Sequence, residues 1–408
     1  MRRAHDRSRD REWQIRFRLV PSHGRTEGTP LRRLRAFALP LALFATSAVA
    51  QIADSPIGAQ GSPAADTGYF QIIRPVAKGV WLLAEPKFQL QPIGNVTVIE
   101  QRNGLVLVDA GGSPGAGRRI VTMVKSLSPK PVKAVIITQW HGDKPQGLPE
   151  VLKAWPNART VATDATRAHL ADPKTMNTPA APDEPRNAKF LAQVQGQIDY
   201  LQKAADDAKS EPVKRGFRSA ARMFRQYKLD MDGALTIAAK EGFKDRLVIT
   251  DPDHPVEAMF LGRANTDGDA VVWLPKQKIV VAGEIVISPF PYGFESYPAE
   301  WIATLVKLRA MKWRTLIPGH GMPQTDRAQL DRISATLKAV RARVAPLVKH
   351  GLTLEQVKAK IDLTAQAKTF VGDDPWLAIW FKTFFTDGIV TSAYKEAKGD
   401  PIVQNLNG

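Results

Sequence analysis

Cysteine is absent from the 408 residues of this sequence. Its absence excludes disulfide bonds and removes thiolate from the possible metal ligands and catalytic nucleophiles. A long apolar run is missing as well, because the stretch at residues 36–45 is well short of the roughly 20 residues that a membrane-spanning helix needs. We therefore expect no stable membrane span.

A nucleic-acid footprint is also missing, although the formal net charge is +17. The first 50 residues hold 11 basic and 4 acidic side chains, so the remainder carries 46 basic against 36 acidic ones. That excess is moderate and spread along the chain, and no stacking-aromatic or helix-turn-helix pattern accompanies it. With 44% apolar residues, the chain is long enough to bury a large core.

The amino-terminal region has the organisation of a targeting segment. Arginines end at Arg35, the apolar run follows, and the small-residue site Ala48-Val49-Ala50 precedes Gln51. This pattern predicts a signal peptide at residues 1–50, cleaved after Ala50, and a periplasmic or secreted protein. The alternative is a membrane anchor, for which the run is short. Residues 51–75 are rich in Gly, Ala, Pro and Ser and are predicted to be a flexible leader.

The first half of the predicted core is rich in short strands. Apolar runs at residues 80–84, 96–100 and 105–109, separated by turn residues, predict an antiparallel meander. After a helix at about residues 117–127, a buried strand at 134–138 leads into a loop that holds His141 and Asp143. Open α/β sheets bind ligands at such strand ends, and imidazole and carboxylate are metal-ligand types.

A mostly helical segment at residues 172–244 interrupts this pattern, and we predict that it is a lid or partner surface outside the sheet. Strand signals resume after it, at residues 246–250, 256–261, 270–274 and 279–287. The second helix of the segment carries a basic run that either faces an anionic substrate or phospholipid headgroups, or is a solvated face. This run comprises Lys214, Arg215, Arg218, Arg222, Arg225 and Lys228.

The carboxyl-terminal part is predicted to be helical. Helical periodicity covers residues 326–345, a Thr-x-x-Gln cap begins a helix at 353–361, and residues 375–397 are rich in aromatics. We expect this tail to pack on the core or to form a homodimer contact. The loop at 288–298 either contacts a substrate through Tyr292 or Phe294, or is a proline-rich connection with buried aromatics.

The stretch at residues 134–147, AVIITQWHGDKPQG, resembles the metallo-β-lactamase superfamily, whose loop reads Thr-His-x-His-x-Asp-His at this place. His141 matches the second histidine and Asp143 the aspartate, whereas Gln139 and Lys144 stand at the first and third histidines. Three further stretches match in the same order, at residues 262–269, 282–284 and 317–321. In these, Asn265 replaces a histidine ligand, Glu284 takes the place of the bridging aspartate, and His320 is intact.

The resemblance implies a four-layer αββα sandwich at residues 76–340, with the helical insertion at 172–244 and a helical extension at 341–408. It also implies that Asp109 supports the metal loop from behind; the alternative is an aspartate that closes a turn beside two glycines. The remaining histidines are interpreted as ordinary core or surface residues. They are His5, His23, His169, His254 and His350.

The resemblance implies two metal positions, and the metal affinity of each depends on which of its ligands are replaced. The first metal position has His141 with two neutral amides, Gln139 and Asn265, and amides are weak zinc donors, so this position should be weak or empty. The second position would have Asp143, Glu284 and His320, a credible set for one Zn²⁺ or Mn²⁺ ion. Lys144 is the alternative, because its ammonium can lie against both carboxylates and supply the positive charge.

Two functions therefore remain open from the sequence. The first is hydrolysis of a small-molecule ester, lactone, lactam or phosphoester by water activated on one divalent ion, with His141 as a base or extra ligand. The second is a non-catalytic relative that binds a small molecule in the cleft, with Lys144 in place of the metal.

Overall fold

The computed structural model describes residues 70–85, 93–172 and 185–404. The predicted signal peptide, residues 51–69 of the predicted leader and Pro92 lie outside these ranges. Within them, two β-sheets pack face to face, and helices cover both outer faces. The αββα arrangement that the resemblance implied is confirmed.

The first sheet has seven strands that neighbour one another in chain order. The first four form an antiparallel meander, of which β2, β3 and β4 were predicted, and the next three join it in parallel. Parallel strands end at the same edge of a sheet, so the loops after β4 and β5 meet there. The strands are β1 (Ile72–Ala77), β2 (Val80–Ala84), β3 (Val96–Gln101), β4 (Gly104–Val108), β5 (Val132–Ile136), β6 (Arg159–Thr163) and β7 (Glu241–Phe243).

Two strands differ from the sequence expectation. β1 starts inside the predicted leader, whose composition shows no clear period. It contains Pro75, which an edge strand tolerates since one of its sides needs no ladder hydrogen bonds. β7 lies inside the predicted insertion and pairs in parallel with β6, so the last residues of that segment belong to the sheet. At three residues, β7 is too short to show a periodic pattern.

The second sheet has five strands in the order β12, β11, β10, β9, β8. β11 is shorter than the predicted strand at 279–287, because the chain turns at Gly283 with a φ of +52°. A side chain there would also come within 3.1 Å of Thr138. The turn places Glu284 directly beyond the strand end. The strands are β8 (Arg246–Ile249), β9 (Val256–Phe260), β10 (Ala270–Leu274), β11 (Ile279–Gly283) and β12 (Thr315–Pro318).

The core lies in three layers that follow from the strand and helix periodicities. Apolar side chains of both sheets, such as Val106 and Val272, meet between them. Ile120 and Val151 belong to the layer where α1 and α2 cover the first sheet. The helices after β7 cover the second sheet. The helices of the first half are α1 (Pro114–Leu127), α2 (Leu148–Ala154) and α3 (Asp164–Ala171).

The insertion is an antiparallel pair of long helices, α4 (Pro185–Asp207) and α5 (Glu211–Asp230). It packs on the carboxyl-terminal helices, since the ring of Phe217 lies edge-on to that of Trp376 with centroids 5.1 Å apart. The helices that follow the insertion are α6 (Pro298–Ala310), α7 (Ala328–Lys349), α8 (Leu354–Lys360), α9 (Thr364–Val371), α10 (Pro375–Phe381) and α11 (Asp387–Lys398), with a π-helical turn at Lys382–Thr386.

The aromatic tail packs on the core, as predicted, and buries Trp380, Phe381 and Phe385. It also meets the loop at residues 288–298, where Tyr292 is buried and Gly293 N donates to Phe384 O at 2.7 Å. The loop thus buries aromatic residues, which is the second of the two alternatives. Among the described residues, no helix is long and apolar enough to cross a bilayer.

Candidate functional site

The candidate site begins where β4 and β5 end. Asp109 follows β4 with a φ of +66°, and its carboxylate accepts hydrogen bonds from Thr138 N at 2.8 Å and from the Thr138 hydroxyl at 2.8 and 3.0 Å. Burial raises the pKa of Asp109 to about 7, against the opposing charge of Lys144. Through these hydrogen bonds Asp109 holds Thr138, at the start of the loop after β5. The resemblance implies a supporting role of this kind for Asp109.

Four charged groups meet in front of this loop, and we call them the charged quartet: Asp143, Lys144, Glu284 and His320. The Lys144 ammonium lies 2.7 Å from Asp143 Oδ2 and 2.6 Å from Glu284 Oε1. His320 Nε2 lies 3.0 Å and 3.3 Å from the same two oxygen atoms. All four side chains are buried, and Lys144 is 0% exposed.

The Lys144 ammonium is surrounded by oxygen atoms. Besides the two carboxylates, it donates a hydrogen bond to Gly319 O at 3.1 Å. The side nearest Gly94 is closed by backbone, because a Cβ on that glycine would lie 2.8 Å from Lys144 Nζ. Asn95 fastens this closing segment to the last loop, since its side-chain amide donates to Pro318 O and Gly321 O, each at 2.8 Å.

The electrostatics of the quartet follow from this geometry. Burial would lower the pKa of Lys144, but the carboxylates of Asp143 and Glu284 outweigh it and raise that pKa. Burial and Lys144 oppose protonation of His320, yet its contacts with Glu284 and Asp143 raise its pKa to about 9. Burial opposes ionisation of the carboxylates, but Lys144 and His320 lower the pKa of both. At pH 7 the quartet thus carries two positive and two negative charges and is neutral.

Gln139, His141 and Asn265 stand where the resemblance implies the first metal position, and we call them the amide–imidazole group. Gln139 Oε1 accepts from His141 N at 2.5 Å, and Asn265 Nδ2 donates to Tyr292 O at 2.8 Å. Both amides are 0% exposed. Their other ends, Gln139 Nε2 and Asn265 Oδ1, have no hydrogen-bond partner among the described residues.

His141 is the partly exposed member of the amide–imidazole group. Its ring packs edge-on against Trp140, with centroids 4.5 Å apart. Burial lowers the pKa of His141 below its usual value of 6.5, so the imidazole is neutral at pH 7. A neutral imidazole has one donor and one acceptor nitrogen, and it is the site residue through which a ligand can approach.

The fit of a metal ion to these residues can be judged from the donor atoms. Asp143, Glu284 and His320 do form a potential ligand group, with atoms within 4.8 Å of one another. However, the carboxylate oxygens that an ion would need already bind the Lys144 ammonium, in a space that Gly94 closes. The amide–imidazole group offers one imidazole. Asp143, Glu284 and His320 therefore do not fit a metal ion while the Lys144 ammonium lies against the two carboxylates.

Several contacts that shape the site were not expected from the sequence. The turn residues between the predicted strands at 80–84 and 96–100 indicated a loop. They did not indicate that Gly94 covers Lys144. Gln404, in the chain after α11, accepts from Trp140 Nε1 at 3.2 Å and donates to Glu295 O at 2.5 Å. His169 Nε2 lies 2.9 Å from an oxygen of Asp267, and its ring is 5.2 Å from that of Trp140. The hydrogen bonds of His169 and Gln404 join residues 98 to 264 positions apart, and no local pattern indicates them.

Comparison with known proteins places this geometry in context. The family model of the Metallo-beta-lactamase superfamily matches residues 91–320. A linear primary-alkylsulfatase from Pseudomonas sp. (strain ATCC 19151) is 23% identical over 301 residues, which cover 70% of this chain and 52% of the relative. The chain thus spans about half the length of this curated relative.

The chain is also similar to solved structures. The stereoselective inverting sec-alkylsulfatase Pisa1 from Pseudomonas sp. has a TM-score of 0.53 at 16% identity, over 84% of this chain and 54% of that one. A metallo-beta-lactamase from Pontibacter korlensis has a TM-score of 0.44 at 18% identity, over 66% of this chain and 99% of that one.

Proposed function

We propose that this chain, which belongs to the metallo-beta-lactamase superfamily, is a member that binds a small molecule in its cleft without a resident metal ion. The observation that carries the proposal is the environment of Lys144. Its ammonium has oxygen atoms of Glu284, Asp143 and Gly319 at 2.6, 2.7 and 3.1 Å, and it has no exposed surface. The Lys144 ammonium thus supplies the positive charge that a bound metal ion would supply at this position.

The charged quartet and the amide–imidazole group then contribute differently to the cleft. The charged quartet is neutral and internally paired, so it stabilises the cleft floor and offers no free charge to a ligand. The amide–imidazole group offers the hydrogen-bonding atoms of partly exposed His141, while its two amides are buried. We infer that a polar small molecule binds at His141 through hydrogen bonds to the imidazole.

Metal analysis tests this proposal directly. We expect protein that has been dialysed, refilled with Zn²⁺ or Mn²⁺ and freed of excess ion to hold far less than one ion per chain. Its melting temperature should be the same with and without chelator, because an ion that binds the folded state would raise it. One tightly held ion per chain, with a melting temperature that chelation lowers, would contradict the proposal.

A metal-dependent hydrolase is the second candidate, and the ligand group Asp143, Glu284 and His320 favours it. The substrates considered from the sequence are esters, lactones, lactams and phosphoesters, and the name of the alkylsulfatase relative adds sulfate esters. Hydrolysis of a chromogenic panel of these compounds, assayed before and after refilling with metal, separates the candidates. Turnover that appears only with Zn²⁺ or Mn²⁺ would support the hydrolase.

The cellular location remains a proposal as well. We propose that the chain is exported and cleaved after Ala50, on the basis of the arginine-rich start, the apolar run and the small-residue site. The intact mass of the mature protein tests the cleavage. Sedimentation of the same material tests the predicted homodimer.

A further inference from the structure

The outward side of α5 carries a continuous row of exposed residues. Arg215, Arg218, Arg222, Arg225 and Leu229 follow one another at intervals of three and four positions, and all five are exposed. At 3.6 residues per turn this spacing keeps them on one side of the helix. We call this row the arginine face. Leu229 is 69% exposed, more than any other large apolar side chain in the described ranges.

The opposite side of α5 is buried, so the arginine face points away from the core. Phe217, Ala221 and Tyr227 are buried there, and Phe217 packs against two tryptophans of α10. At the end of the helix, Asp230 accepts a hydrogen bond from Arg119 of α1 at 2.5 Å. Because core contacts hold the helix along its length, the row of arginines is presented in one orientation.

The four arginines also lack the partners that other surface arginines have. Arg159, Arg309 and Arg341 each form an ion pair with an acidic residue. Among the described residues, no ion pair is formed by any arginine of the face, and the acidic residues at the ends of the helix bind other bases. Like charges three and four positions apart destabilise a helix. This internal cost favours a partner outside the chain that compensates the charge.

We propose that the arginine face binds the surface of a bilayer that contains anionic phospholipid. Guanidinium groups bind phosphate oxygens in a bidentate manner, and the face extends over roughly 21 Å at 1.5 Å per residue. Exposed Leu229 favours a lipid surface over a soluble polyanion, because an apolar side chain gains by burial at the headgroup boundary. The attachment is peripheral, since no helix of the described part is long and apolar enough to cross a bilayer.

Co-sedimentation of the full chain with vesicles tests the proposal. We expect strong binding to vesicles of phosphatidylcholine mixed with phosphatidylglycerol, weak binding to phosphatidylcholine alone, and release by high salt. The double variant Arg218→Gln with Arg222→Gln should weaken binding about 25-fold, at about 5-fold for each basic residue. Leu229→Ser should weaken it a few-fold.

A matched control removes the same charge elsewhere. Lys349→Gln with Lys360→Gln changes two exposed residues of α7 and α8 and should bind vesicles like the native chain. Far-ultraviolet circular dichroism checks that every variant is folded. Equal binding of the native chain to both vesicle types, or an equal loss in the control, would overturn the proposal. Binding to heparin without binding to the anionic vesicles would also overturn it.

Discussion

The charged quartet and the amide–imidazole group both stand where the resemblance implies metal ligands, but they differ in charge. In the quartet, Lys144 replaces a ligand and brings a positive charge that both carboxylates bind. In the amide–imidazole group, Gln139 and Asn265 bring no charge, and each leaves one buried polar atom without a partner among the described residues. The comparison shows that one set is internally paired, while the other retains unpaired polar atoms within the described part of the chain.

The largest expected effect comes from restoring imidazoles to both positions. Gln139→His, Lys144→His and Asn265→His together should raise the metal content toward two ions per chain, because they complete a three-imidazole set with His141 and remove the ammonium. Elemental analysis after dialysis measures the content. Adding Asp143→Asn should lower it again, since a charged ligand is lost. A triple variant that holds no more zinc than the native chain would mean that these residues are not placed as metal ligands.

Removing only the charge of Lys144 tests the pairing within the quartet. Lys144→Met leaves two buried carboxylates without their shared partner, and we expect the free energy of unfolding in urea to fall by about 3 to 5 kcal/mol. Lys153→Met is the control, because Lys153 pairs with Glu150 on the surface and such pairs contribute about 0.5 kcal/mol. Equal losses in the two variants would show that the quartet is no stronger than a surface pair.

The pH dependence of stability tests the charge of His320. Its pKa is raised from 6.5 to about 9 in the folded chain, so its stabilisation is complete below pH 6.5 and is lost as the pH rises through 9. We expect the free energy of unfolding to fall by about 3 kcal/mol over this range. His320→Gln should flatten the profile, whereas exposed His350→Gln should leave it unchanged. A native profile that is flat above pH 6.5 would contradict the assignment.

The smallest effect concerns the contact between Gln404 and Trp140, whose ring packs against His141. Gln404→Ala removes the hydrogen bonds to Trp140 and Glu295, and we expect a loss of about 1 kcal/mol in stability. Acrylamide should quench the fluorescence of Trp140 more strongly. Val403→Ala is the neighbouring control, because Val403 is 55% exposed. Unchanged quenching in Gln404→Ala would show that the contact does not hold Trp140.

The fold was largely predictable because its strands and helices repeat with clear periods. Two strands are exceptions. β1 contains a proline that only an edge strand accommodates, and β7 has three residues and joins the sheet by pairing with β6. Site residues were identified through the superfamily resemblance, and the structure places Lys144 against both carboxylates, as one alternative required. The cover formed by Gly94 and the contact of Gln404 with Trp140 depend on distant parts of the chain meeting. Local sequence carries no signal for them.

The neutrality of the charged quartet also bears on how fast a ligand reaches the cleft. Opposite charges within about 3 Å of one another produce almost no field at a distance, so the cleft floor does not steer a charged molecule during diffusion. Association rates at His141 should therefore be nearly independent of ionic strength. The arginine face has four arginines without an ion pair among the described residues, and their field should attract anions over about 10 Å at moderate salt. The proposed ligand binding and the proposed bilayer binding should thus respond differently to the same change of buffer.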